Sequence, residues 1–388
     1  MSQNIVKSLE QRQINNQFNP EKFFKANYFN ESMLKRFKVE NKIKIECGSS
    51  DDLVSCGSWN CDGILLGCGK VGKGIEIYTP FRNNKKVTTV PINQDHYLED
   101  VVFMPKTKHL MAVTSRNKNN LVFWNTPPDL PIDNYVKIWD VEKNAATRMY
   151  SYKETVTKLV TSIALPNHIW FNTDNKVETI AEADIRSPKY KVIKLGLLQY
   201  DSLVYRRCFD VHPVDEVTIA VGDRNKLLFY DRRTVTSQNF AEPIESFDFS
   251  SLIKNNSYII QVKYNPCGTK MILTNSLTQN HYVFPLSDPN VDNMKMFCKN
   301  WTTFSTVTKN PNFLGDKHVI FDTFFRNYSV VFDLEKARFV GRIKLSHQSN
   351  FLSNIFSMPH PIYCLIAAAN QDLINFITPS SLTYDDLD

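Results

Sequence analysis

Glycine is scarce in this chain, with 12 in 388 residues against 18 prolines. Turns must therefore lean on Asn, Asp and Pro, which bend the backbone through side-chain hydrogen bonds or a fixed φ. No apolar run approaches the roughly 20 residues of a membrane-spanning helix, so no membrane partner is expected. Residues 1–20 are polar and rich in Gln and Asn, without the apolar stretch of a secretory leader. The eight cysteines form no CxxC pair. Cys56, Cys61 and Cys68 are close in sequence, but no His lies among them and their spacing fits no common zinc site. Reduced thiols in a cytoplasmic or nuclear protein are the expected state, with no metal and no cofactor.

Catalytic signatures are also lacking. There is no GxSxG, no HExxH and no P-loop. The glycines at 67, 69, 72 and 74 lie between strands and open no helix, which removes the usual reason for a phosphate cradle. The eight histidines are isolated, and His212-Pro213 and His360-Pro361 sit where strands end and turn, which suits capping or packing. No catalytic residues, and no enzyme activity, are expected. The net charge is only +6 and is spread along the chain apart from Lys35-Arg36-Lys38. A nucleic-acid binder would gather that charge in one stripe, so nucleic acid is not an expected partner.

What the chain does have is aromatics (26 Phe and 16 Tyr) and alternation, which lean towards strands. The stretch from Val217 to Arg233, VTIAVGDRNKLLFYDRR, is the clearest unit. Val217, Ile219 and Val221 alternate with small residues. Gly222-Asp223-Arg224-Asn225 reads as a turn in which Gly and Asn take up positive φ. Leu227 to Tyr230 is a buried strand, and Asp231-Arg232-Arg233 ends it. A strand, tight turn and strand closing on aromatic-Asp is the inner part of a WD40 propeller blade.

Six further units follow the same plan, beginning near Leu53, Leu98, Val156, Ser257, Phe304 and Phe351. Their spacing of roughly 40–50 residues is that of WD40 blades. The second unit holds the Trp139-Asp140 pair. There VKIWD at 136–140 competes with LVFWN at 121–125 for one slot, and VKIWD is placed in the blade with 116–134 as an excursion. The last unit lacks a fourth strand, while Lys42 to Cys47 alternates with no partner in its own unit, so this strand is expected to close the ring and remove the free edge. The expected fold is all-β: a seven-bladed propeller over 41–380, closed by strand 42–47. It is preceded by a disordered tail (1–19) and an amphipathic helical extension (20–40), and followed by an acidic tail (381–388). In the extension, Phe23, Phe24, Met33, Leu34 and Phe37 could pack on the propeller's side or dock into a partner's groove.

One surface feature repeats. Asp184-Ile185-Arg186 and Asp231-Arg232-Arg233 end the third strands of neighbouring units, and both read Asp-x-Arg. The aspartate is accounted for by bonding backbone N–H groups at the corner. The arginines are not, and two of them on one rim could fork to carboxylates or carbonyls of a partner.

This Asp-x-Arg ending resembles that of the WD40 substrate receptors that dock onto the triple-propeller adaptor of cullin–RING ubiquitin ligases. LKRFKVENKIKI followed by LVSCGSWNCDGILLGCG, then LEDVVFMP, TIAVGDRNKLLFYDRRTV and IIQVKYNPCGTKMILT, resemble successive blades of the cullin-associated factors of the nuclear-receptor-interaction and WD-tetratricopeptide type. The resemblance implies an adaptor-docking motif at Asp184, Arg186, Asp231 and Arg233, with Tyr230 in its aromatic slot, and a receptor that bridges the adaptor to an unidentified substrate protein. Ala183 stands where the motif has an aromatic. Two alternatives stand beside this: a WD40 scaffold in a complex unrelated to ubiquitin, and a chromatin or nucleic-acid factor, which rests on the net charge alone.

Overall fold

A computed structural model of the chain describes residues 34–35, 37–45, 54–70, 74–81, 85–92, 96–117, 134–152, 156–173, 179–195, 208–234, 241–253, 257–276, 280–287, 294–297, 311–322, 328–345, 355–361, 365–370 and 373–379. The described strands form seven four-stranded antiparallel sheets. In six of them the strands pair in chain order: blade 1 runs over 54–90, blade 2 over 96–152, blade 3 over 156–194, blade 4 over 208–248, blade 5 over 259–297 and blade 6 over 312–344. Blade 7 takes three strands from 355–379 and its fourth from Phe37–Lys44. The first and last described strands thus share a sheet, which closes the ring and leaves only the short outer edge of each blade.

The closing strand begins five residues earlier than the alternation indicated. It pairs Phe37 with Pro379 and Lys44 with Leu373. A register shift between Val39 and Asn41 explains the misreading, because it breaks the period of two at that point. Phe37, assigned above to a helical extension, is therefore a strand residue. It packs with Leu34 against Val331, Val340, Ile343 and Ile377 in the seam between blades 6 and 7. Phe23, Phe24 and Met33 lie outside the described residues. In blade 2 the third strand is Asn134–Asp140, which contains VKIWD; LVFWN lies outside the described residues.

Seven apolar clusters fill the seams, each joining two consecutive blades. Between blades 3 and 4, for example, Trp170, Ile180 and Ile193 face Phe209, Ile219, Leu228 and Tyr230. A blade alone would expose both faces of its sheet, so stability is a property of neighbouring pairs. Where two blades approach closely a side chain is left out. A Cβ at Gly69 would stand 1.8 Å from Leu98 in the next blade. Gly222 is a second case and a correction. It is not a turn residue but lies inside the strand Thr218–Asp223, where a Cβ would stand 2.6 Å from Cys208 and 2.8 Å from Ile259. The positive φ of the turn that follows falls on Arg224, at 51°.

Candidate protein-interaction face

Among the described residues, turns between first and second strands and turns between third and fourth strands lie on one face of the ring; blade 7, whose fourth strand comes from Phe37–Lys44, has no turn of the second kind. Aspartate builds four of the third-to-fourth turns. Asp140 Oδ1 accepts the N–H groups of Glu142 and Lys143 at 3.0 and 3.1 Å, and Asp333 Oδ1 those of Glu335 and Lys336 at 2.8 Å each. Asp184 and Asp231 accept the N–H groups of Arg186 and Arg233 at 2.9 and 2.8 Å. Only in these last two corners is the second residue after the aspartate an arginine, and there the guanidinium turns back. Arg186 donates from Nε and Nη2 to the two oxygens of Asp184, at 2.9 and 2.6 Å. Arg233 does the same to Asp231, at 3.1 and 2.8 Å. The fork holds Asp184 down at about 2, below the usual carboxylate range, and lowers Asp231 likewise. Both arginine side chains remain 67% exposed.

The preceding blade braces each corner. The Tyr150 hydroxyl, from the outer strand of blade 2, lies 3.0 and 2.9 Å from the carbonyls of Asp184 and Ser187. Lys191, from the outer strand of blade 3, donates to the Arg232 carbonyl at 3.2 Å. Lys295 of blade 5 does so to Leu334 of blade 6 at 3.1 Å. Arg232 adds a tie of its own, reaching Glu182 of blade 3 at 2.8 Å. Burial alone would raise Glu182, but the hydrogen bond with His168 and the Arg232 charge outweigh it, and the carboxyl is lowered. Tyr230 is fully buried in the seam between blades 3 and 4. It supports the corner from beneath, so the exposed part of the motif is the two Asp–Arg pairs.

The first-to-second turns are latched to one another. His212 of blade 4 sits on Gly268 of blade 5, with Nε2 3.0 Å from its carbonyl. His360 of blade 7 sits on Gly63 of blade 1 in the same way, also at 3.0 Å. Both glycines have positive φ, 71° and 70°, and both end an Asn-x-x-Gly turn begun by Asn265 or Asn60. In each turn the asparagine side chain accepts a backbone N–H five residues on. The recurrence of Asn-x-x-Gly after an inner strand was the available signal for these latches; the tyrosine and lysine braces carry no local signal, because they come from the neighbouring blade.

The inner strands surround a channel of about 680 Å³ lined by Asp100, Lys158, Asp210, Gln261, Lys263 and Asn312 among others. Its charged groups are engaged between blades. Asp100 accepts Leu159 N–H at 2.9 Å and Asp210 accepts Tyr264 N–H at 2.8 Å. Lys158 donates to the Phe209 carbonyl at 2.7 Å, and Lys263 to the Asn312 side chain. Burial pushes the thiols of Cys56, Cys68 and Cys208 up, which keeps them protonated and unreactive. Among the described residues no three His, Cys, Asp or Glu gather as metal ligands.

The architecture has close counterparts among solved structures. The crystal structure of the Swd1 β-propeller domain of Myceliophteria thermophila superposes with a TM-score of 0.64 at 14% identity, over 88% of this chain and all of that one. A chain in the crystal structure of the mitotic checkpoint complex gives 0.63 at 12% identity, over 89% of this chain and 92% of its own. The fold is a seven-bladed WD40-type β-propeller. At these identities the likeness concerns the propeller fold alone. No family model and no curated protein sequence matches the chain.

Proposed function

We propose that this propeller is a non-catalytic protein-interaction module. In this reading its turn face at blades 3 and 4 docks onto the triple-propeller adaptor of a cullin–RING ubiquitin ligase, and another face holds a substrate protein. The observation that carries the reading is the pair of Asp-x-Arg corners on adjacent blades, each forked and each braced by the blade before it. Exposed arginines ordinarily lose rotamer freedom on binding; here the fork onto the neighbouring aspartate limits that freedom in advance. The channel supports a non-catalytic role, since its lysines and aspartates serve as ties between blades.

The test is Arg233→Glu and Arg186→Glu in the full chain, assayed for binding to the purified adaptor with thermal unfolding as a control. Loss of a central interface arginine costs about 2 kcal/mol or more, roughly 30-fold in affinity. The reading fails if both variants bind the adaptor as the wild type does. A second reading, a scaffold in a complex unrelated to ubiquitin, draws on the fact that each guanidinium already has a partner in its own aspartate. Such a corner is stable without any docking partner. Co-purification with partners that include no cullin adaptor favours that second reading.

A further inference from the structure

We propose that the docking surface is completed by Ile163 and Val214, and that it takes a partner segment presenting an aliphatic side chain flanked by backbone carbonyls rather than by carboxylates. This rests on the adaptor-docking reading above and names the chemistry of that contact.

Ile163 and Val214 occupy the first-to-second turns of blades 3 and 4 and are 55% and 64% exposed. Turn tips favour Gly, Pro, Asn, Asp and Ser, and neither aliphatic chain serves its own turn. The blade 4 turn is held by His212, whose Nδ1 accepts Asp215 N–H at 2.8 Å, and by Asp215, which accepts Val217 N–H at 2.8 Å. The two turns are joined to each other, Ala164 N–H to the Pro213 carbonyl at 3.2 Å and Ser162 Oγ to the His212 carbonyl at 2.9 Å. The residues that follow Ser162 and Pro213 therefore stand side by side. Each turn is also bonded to the Asp-x-Arg corner of its own blade, Ile185 N–H to Asn167 O at 2.9 Å and Arg232 N–H to Val217 O at 3.0 Å. Two neighbouring turns with aliphatic tips thus share one hydrogen-bonded frame with the two arginine corners.

The arginines decide what surrounds the aliphatic contact. Each guanidinium has its charge matched by its own aspartate, and Asp215 adds a further negative charge near Arg233. A partner carboxylate would meet Asp184 or Asp231 beside every arginine it approached. A backbone carbonyl would not. Nη1 of both arginines makes no hydrogen bond among the described residues and can donate to a neutral acceptor. The resulting contact has an apolar centre and a hydrogen-bonding rim of little net charge, the arrangement common to protein interfaces.

The experiment measures binding of the full chain to the purified triple-propeller adaptor for wild type, Ile163→Asp, Val214→Asp and Arg233→Glu, each at about 0.1 and about 0.5 M salt. The expected result is a loss of about tenfold or more for each aspartate variant, with unchanged thermal unfolding, and a wild-type affinity that moves by less than about threefold with salt. If Arg233→Glu loses binding while Ile163→Asp and Val214→Asp do not, the docking reading stands and the apolar centre is refuted. A fall of more than about tenfold with salt refutes the neutral rim and assigns carboxylates to the partner. If the wild type does not bind the adaptor, the docking reading and this inference fall together.

Discussion

Replacing Gly268 by alanine should cost far more than a turn glycine normally does. A Cβ there would stand 2.2 Å from Cε1 and 2.5 Å from Nε2 of His212. The ring cannot step aside, because it is held on three sides. Nε2 meets the Gly268 carbonyl at 3.0 Å, Nδ1 accepts Asp215 N–H at 2.8 Å, and Tyr264 packs edge-on with centroids 4.8 Å apart. The left-handed backbone, φ 71°, costs an alanine about 1 kcal/mol. Displacing the ring forfeits about two hydrogen bonds at roughly 1 kcal/mol each. The expected loss is therefore about 3 kcal/mol for Gly268→Ala. Gly315 supplies the control: its φ is 62°, but nothing lies within 4 Å of its Cβ position, so Gly315→Ala should lose only the backbone share, about 1 kcal/mol. Urea unfolding at constant m measures both. Adding His212→Ala to Gly268→Ala removes the collision, so the double variant should lose at least about 1 kcal/mol less than the two single losses together. Equal losses at Gly268 and Gly315 would refute the latch.

Acid should weaken the fold through its buried histidines. Burial lowers His281 to about 3 and His360 to about 4, against an ordinary 6.5. Between pH 6.5 and about 4 the unfolded chain takes up protons that the folded rings refuse, so stability is full above that window and falls as the pH drops through it, by roughly 3 kcal/mol for His281 alone. His281→Gln, which leaves Thr274 a hydrogen-bonding partner, should flatten that fall; an unchanged pH profile would count against the buried neutral imidazole. Asp100 works in the opposite direction. Burial raises it to about 6 in spite of its two backbone donors, so between about 6 and 4 the folded state binds the extra proton and gains stability as the pH falls. Asp100→Asn should therefore steepen the acid loss, measured as the shift of the urea midpoint between pH 7 and about pH 4.

The ring was readable because seven near-copies of one strand pattern recur, and because a missing last strand and an unpaired first one imply each other. The aspartate corners were readable as well, since Asp-x-Arg is a local pattern and Asp184 and Asp231 bond atoms only two residues away. The start of the closing strand was not, because the irregularity between Val39 and Asn41 hides its period. Gly222 was misassigned for a related reason. A glycine beside Asp and Asn suggests a turn, whereas its smallness is demanded by Cys208 and by Ile259 of the next blade.

Sequence by itself determined what is local and repeated: strand periodicity, the number of blades, the exchange of strands that closes the ring, and the aspartates of the two Asp-x-Arg corners. Tertiary structure alone decided which residues of one blade hold the next. His212 meets Gly268 and His360 meets Gly63 across 56 and 297 residues of chain, and Tyr150 and Lys191 brace corners they never adjoin in sequence. It also decided that Arg186 and Arg233 fold back onto their own aspartates, and that the turns carrying Ile163 and Val214 are bonded to each other. The physical reason is the same throughout. Periodicity follows from the geometry of one strand, whereas a latch, a brace or a surface exists only where two blades pack; Asn-x-x-Gly marks one half of a latch, but nothing in it names the histidine that it meets.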